Sequence, residues 1–130
     1  MKKEINVVAA VIVNDNDKIL VAQRPPGKSL EYMWEFPGGK VEPYEDEKVA
    51  LRREILEEMD TEIEVFDKIT TTRHEYDFGI VILTTYYSKV VKGDLKLKEH
   101  IEKRWLKREE LGNILLAPAD IPVARMIQGG

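Results

Sequence analysis

Glu54, Glu57 and Glu58 stand three and four residues apart and directly follow Arg53, inside the stretch GGKVEPYEDEKVALRREILEEMD (residues 38–60) that holds eight Glu or Asp in twenty-three positions. Residues at such separations are neighbours on a helix, so the three carboxylates share a face and Arg53 can pair with Glu57. Like charges so placed oppose the helix by roughly a few tenths of a kcal/mol per pair. Either the face is simply solvated, the ordinary fate of an exposed glutamate, or a cation sits among the acids. Hard oxygen donors in this number suit Mg²⁺ or Mn²⁺, and the chain has no cysteine to offer a softer metal. Gly38 and Gly39 precede the helix, where the lack of a Cβ lets backbone approach a ligand closely, and Glu45 adds an acid at the helix start.

These groups need elements to hold them. The helix spans Tyr44 or Glu45 to Met59, with Val49, Leu51, Ile55, Leu56 and Met59 at helical spacing and no Pro or Gly. Ile5 to Val13 is apolar and β-branched, the pattern of a strand buried on both faces. The polar NDND turn and Lys18 to Arg24 then predict a hairpin. PPGKSLEYM is a loop, and WEFPGG a short extended segment ended by Pro37. Glu62 to Thr71 and Gly79 to Val91 read as strands around a turn near Asp77 and Gly79. Ile101 to Leu106 reads as a further strand, KREELG as a short helix closed by Gly112, and ADIPVARMIQ as a last helix with Asp120 near its cap and Pro122 in its first turn. Hairpins with intervening helices predict an α/β fold, a sandwich of helices on both sides of a mixed β-sheet.

A chain of 130 residues, 43 % hydrophobic and 34 % charged, is expected to fold as a single domain with its own core. The absence of cysteine excludes thiol catalysis and cysteine zinc sites and suits a reducing compartment, so a cytoplasmic location is expected. No signal peptide is read at the N-terminus, and no apolar run approaches the roughly 18 residues of a membrane span. A net charge of −4 argues against a basic nucleic-acid surface. An anionic ligand at so acidic a site would have to arrive with cations.

Gly39, Glu45, Arg53, Glu54, Ile55, Glu57 and Glu58 fit the pattern G-x5-E-x7-R-E-U-x-E-E, where U is aliphatic. A chance match is on the order of 10⁻⁵ from residue frequencies. The pattern is the Nudix box, and the chain resembles Nudix hydrolases over nearly its full length, with the box at Gly39–Thr61. The resemblance implies a Nudix-type α/β/α sandwich and metal-dependent cleavage of a nucleoside diphosphate linked to another group. Metal ions on a carboxylate face would neutralise the phosphates and activate or orient water. It implies further that Glu54, Glu57 and Glu58 ligate metal with one assisting as base, that Gly38 offers its carbonyl, and that Arg53 orients a carboxylate. Two positions depart from the family pattern. Asp60 and Thr61 replace the usual Gly and aliphatic residue, which touches helix termination, and Tyr44 stands where members often carry Gly.

Outside the box, VAQRP, WEFPGGKVE and LAPADIPV resemble the MutT branch, which hydrolyses nucleoside triphosphates to monophosphate and pyrophosphate; the last stretch is similar to bacterial CTP pyrophosphohydrolases. By that resemblance Arg24 and Glu35 belong to the nucleotide site with Gly38 and Gly39, Lys40 contacts phosphate, Glu99 joins the metal site as a catalytic carboxylate, and Asp120 reads the base. An ionised carboxylate only accepts hydrogen bonds, so it matches the amino group of cytosine or adenine and can take the N1 and N2 hydrogens of guanine but cannot donate to guanine O6; oxidised-guanine enzymes usually carry Asn here, which tilts the reading toward a cytosine nucleotide. Tyr76, Phe78 and Trp34 are candidates for base stacking, although such residues, Trp34 and Trp105 above all, are more often core, and His74 and His100 are read as surface or satisfied residues without a role. The expected partner is a small nucleoside triphosphate, with no nucleic acid or membrane, for a monomer or homodimer. Rival readings are an 8-oxo-dGTP-type diphosphatase, a non-catalytic nucleotide sensor, and an enzyme of sugar or dinucleoside diphosphates. Keeping all four box glutamates argues against the sensor.

Overall fold

The structure is a computed structural model that describes residues 2–129. Strands β1 (Glu4–Ile12), β2 (Ile19–Gln23), β3 (Trp34–Glu35) and β4 (Gly38–Lys40) precede helix α1 (Glu47–Met59). The long β5 (Glu62–Tyr76) and β6 (Gly79–Lys92) follow, then β7 (Glu102–Leu106), two 3₁₀ turns (Arg108–Asn113 and Pro118–Asp120) and α2 (Ile121–Gly129). β4-β1-β6-β5 form one sheet and β3-β2-β7 a smaller one. β1 runs parallel to β6 and antiparallel to β4, so the larger sheet is mixed, as expected.

β1 is buried on both faces because a strand alternates its side chains. Val8, Ala10 and Ile12 join a core with Ala50, Leu51, Ile55 and Met59 of α1, while Ala9 and Val11 join another with Val123, Ala124 and Ile127 of α2. β2 divides the same way, Leu20 and Ala22 toward α1 and Ile19 and Val21 toward α2. Helices therefore cover both sides of the strands. The expected β1–β2 hairpin is corrected: the two strands meet only at a Val13–Ile19 bridge, and β2 leaves to pair with β3 and β7. WEFPGG likewise splits, Trp34–Glu35 joining the small sheet and Gly38–Lys40 the large one. β5 also runs on to Tyr76, past the expected end at Thr71.

α1 starts two residues or so later than expected because Asp46 caps it, its carboxylate accepting from the Lys48 and Val49 amides at 3.0 and 3.3 Å. Of the apolar residues assigned to its inner stripe, Val49 and Leu56 are exposed and Ala50 takes their place beside Leu51, Ile55 and Met59. The helix ends at Asp60 in the left-handed conformation (φ 53°, ψ 40°), the geometry a family glycine would adopt; Lys96 sits 3.5 Å from the Asp60 carboxylate and offsets its charge at the negative end of the helix. Tyr44 is left-handed too (φ 67°) and fully exposed, so the departure from glycine there changes backbone comfort and not packing. Thr61, fully buried in place of an aliphatic residue, donates to the Met59 carbonyl at 2.9 Å and accepts from the Leu95 amide at 2.8 Å. Thr61→Val would keep the shape and strand the buried Leu95 N–H. It is expected to lower the unfolding free energy by about 1–3 kcal/mol in urea denaturation, and an unchanged midpoint would contradict that role.

Candidate active site

Helical rows decide which acids face inward. Ala50, Glu54 and Glu58 form an i, i+4 row beside the core row Leu51, Ile55 and Met59, so the last two carboxylates emerge where packing gives way to a cleft. Glu57 lies one row further round, its side chain 60 % exposed. The cleft has a volume of about 680 Å³. Glu54, Glu58 and Glu99 line it together with Gly38, Gly39 and Lys40 of β4. Arg24, Glu35, Tyr76, Phe78 and Asp120 line the same cavity. Of the acids and their partners singled out from the sequence, Glu45, Arg53 and Glu57 are the ones outside the cavity lining.

Arg53 organises that wall. Its Nε and Nη2 donate to the two Glu45 oxygens at 2.8 and 2.9 Å, Nη1 to Glu54 at 2.9 Å and to Glu57 at 3.3 Å, and Nη2 to the Lys40 carbonyl at 3.2 Å. The expected Arg53–Glu57 pair is present as the longest of these contacts. The fork to Glu45 holds that carboxyl down at about 2. The Arg53 pKa is correspondingly raised, first by Glu45.

The two glycines serve packing more than ligand access. A Cβ on Gly38 would lie 1.9 Å from the Val8 carbonyl oxygen of β1, and one on Gly39 would lie 2.1 Å from Glu54 Oε2. β4 can lie against both β1 and the Glu54 carboxylate only because both positions lack a side chain. Burial, then the charges of Glu99 and Glu54, push the Glu58 carboxyl up to about 8. Such crowding calls for positive charge. The donor set is carboxylate and backbone oxygen, which fits a hard divalent ion, although among the described residues no three acidic or histidine side chains are already drawn together as a chelate.

At the other end, Asp120 is buried and its Oδ1 accepts from the Phe36 amide at 3.3 Å. The carboxylate is turned toward β3, and the helix-cap role weighed for it is not what its hydrogen bond serves. Burial, then the charge of Glu35, raises its pKa well above the ordinary range. Tyr76 stacks on Phe78 with ring centres 4.9 Å apart, and His74 tilts against Tyr76 at 4.5 Å. Phe78, about half exposed, is therefore the aromatic with surface to offer. Trp34 is core, as expected, with Arg104 4.7 Å above its ring. His100 was assigned no role, yet its ring is 6 % exposed and its Nε2 lies 2.8 Å from Glu35, which also receives Arg24 Nη1 at 3.2 Å. Nothing local in the sequence marks it, since its partner is 65 positions away.

With this geometry in view, the comparisons with known proteins are decisive for family. Residues 3–128 match the NUDIX domain. The chain belongs to the Nudix family and is a hydrolase of phosphoanhydride bonds. Enzymes of this family generally require a divalent metal. It is 41 % identical over 121 residues to a CTP pyrophosphohydrolase of Escherichia coli K12, covering 93 % of this chain and 89 % of that one. It is 31 % identical over 98 residues to an 8-oxo-dGTP diphosphatase of Proteus vulgaris, covering 75 % and 88 %. A solution structure described as the DNA mismatch repair protein MutT, a Nudix hydrolase of methicillin-resistant Staphylococcus aureus 252, superposes with a TM-score of 0.80 at 56 % identity, covering 99 % and 98 %.

The Glu45–Arg53 pair carries a pH signature. A carboxyl that falls from 4.5 unfolded to about 2 folded stabilises the fold fully above 4.5, and that contribution fades as pH drops toward 2. Glu45→Gln is expected to lower thermal stability at neutral pH, with the gap to wild type narrowing below about 4.5. A gap that widens on acidification would contradict the pairing.

Proposed function

We propose that this enzyme is a Mg²⁺-dependent nucleoside triphosphate pyrophosphohydrolase, with Mn²⁺ as an alternative ion, converting a nucleoside triphosphate and water to monophosphate and pyrophosphate, with preference for a cytosine or modified base. The observation that carries this reading is one cavity lined both by the acids Glu54, Glu58 and Glu99 and by Phe78 and Asp120. The relative named for CTP supports it.

In this reading Glu54, Glu57 and Glu58 and the Gly38 carbonyl hold the ion, which when bound screens the phosphates and lowers the pKa of water. Glu57, exposed and paired with Arg53, is one helical row away from the other two. Arg53 keeps Glu54 aligned, and Glu99 accepts a proton from attacking water, a role that its presence in the cavity lining supports. Lys40 and Arg24 supply positive charge for the phosphates and the nucleotide, and Glu35 fixes Arg24.

Asp120 reads the base by a route other than the one expected. Its raised pKa favours the neutral acid, which offers a donor as well as an acceptor. A neutral carboxyl pairs with the adjacent N4 amino group and N3 of cytosine. Its donor can also meet the guanine O6 that an ionised Asp cannot serve, which keeps an oxidised-guanine nucleotide as the second reading, in line with the relative named for 8-oxo-dGTP.

A panel of canonical and oxidised nucleoside triphosphates with Mg²⁺ tests the proposal. Pyrophosphate should be released, with a cytosine or oxidised substrate preferred, and Glu58→Gln should reduce kcat/KM by about 100-fold or more. Release of single phosphate, or equal turnover by the variant, would overturn it.

A further inference from the structure

The 3₁₀ turn Pro118–Asp120 has few means of its own to hold Asp120 still. Pro118 has no amide hydrogen, and the Asp120 amide donates back to the Ala117 carbonyl at 2.9 Å. Ala119, 4 % exposed, is left with an N–H and a C=O that must both find partners. Both come from β5. The Ala119 amide donates to the Tyr76 hydroxyl at 2.9 Å, and the Thr72 hydroxyl donates to the Ala119 carbonyl at 3.0 Å. Positions 72 and 76 lie on one face of the strand, so the two hydroxyls grip the peptide from the same side. On the other side, the Ala117 amide donates to the Trp34 carbonyl at 2.8 Å, and the Phe36 amide donates to Asp120 itself.

We infer that Thr72 and Tyr76 are positioning residues for base selection: by clamping the Ala119 peptide they set where the Asp120 carboxyl stands in the cavity. Tyr76 then has two duties that its ring and hydroxyl divide. The ring stacks on Phe78 and the hydroxyl fixes the acid, so the stacking surface and the hydrogen-bonding group keep one relative placement. This inference rests on the proposed reading of Asp120 as the base-recognising group, and its test separates the two.

Thr72→Val and Tyr76→Phe each remove one hydroxyl and keep the side-chain shape; Thr72→Ser keeps the hydroxyl. The readout is the ratio of kcat/KM for CTP to that for GTP, with Asp120→Asn as the reference. Asp120→Asn should change the ratio, and Thr72→Val and Tyr76→Phe should each move it by about three- to tenfold, the size of one hydrogen bond. Thr72→Ser should leave it as in wild type. Amide exchange in the ligand-free protein gives an independent measure: the Ala119 amide should exchange at least about tenfold faster in Tyr76→Phe. An equal loss on both nucleotides, or an Ala119 amide as protected as before, overturns the clamp while Asp120→Asn still shifts the ratio. If Asp120→Asn itself leaves the ratio untouched, the base-reading role falls and the clamp's role in selection falls with it.

Discussion

The guanidinium of Arg53 ties together three pieces of chain. It binds both oxygens of Glu45 in the loop before α1, one oxygen of Glu54 on the helix, and the Lys40 carbonyl at the end of β4. A planar fork of five donors suits this task, and a lysine could not make the bidentate contact. With the fork in place, Glu54 faces the cavity and not solvent, and β4 lies close enough that a side chain on Gly39 would strike the same carboxylate. Positioning of the acidic end thus depends on one cation that never enters the cavity.

The cavity itself comes from the division of strands between two sheets. β4 belongs to the large sheet and β3 to the small one, with only Phe36 and Pro37 between them. The chain crosses from sheet to sheet there, and the space beside the crossing is the cleft. Glu35 on one side of that crossing holds Arg24 and His100, while Gly38 and Gly39 on the other side meet the helix. Five glutamates and an aspartate then share the cleft, and burial first, with the neighbouring carboxylates after it, raises the pKa of Glu58 and Asp120.

What was legible in the sequence follows the range of the interactions. The acidic face was readable because helical periodicity is local: Glu54, Glu57 and Glu58 must lie near one another wherever the helix goes. The same period hid the finer point that Glu54 and Glu58 continue the row of Ala50 inward while Glu57 does not. Strand partners were not readable in this way. β1 and β2 looked like a hairpin because a polar turn joins two apolar runs, yet a strand buried on both faces gives no local sign of its neighbours, and β1 chose β6 some seventy-five residues on. His100 escaped for the same reason, its only mark being a carboxylate far along the chain. Asp120 lines the cavity, but the burial and the Glu35 charge that raise its pKa come from chain far off in sequence and could not be read from its neighbours.

The central claim is that the inward row of α1 and the β4 glycines form one divalent-ion site. Titrating the ligand-free full chain with Mn²⁺ and following paramagnetic broadening of backbone amides tests it most directly. The amides of Gly38, Gly39 and residues 54–58 should broaden first and together, and Arg53→Ala should disperse that pattern. Broadening that starts on another surface, or a pattern indifferent to the loss of Arg53, would contradict the account.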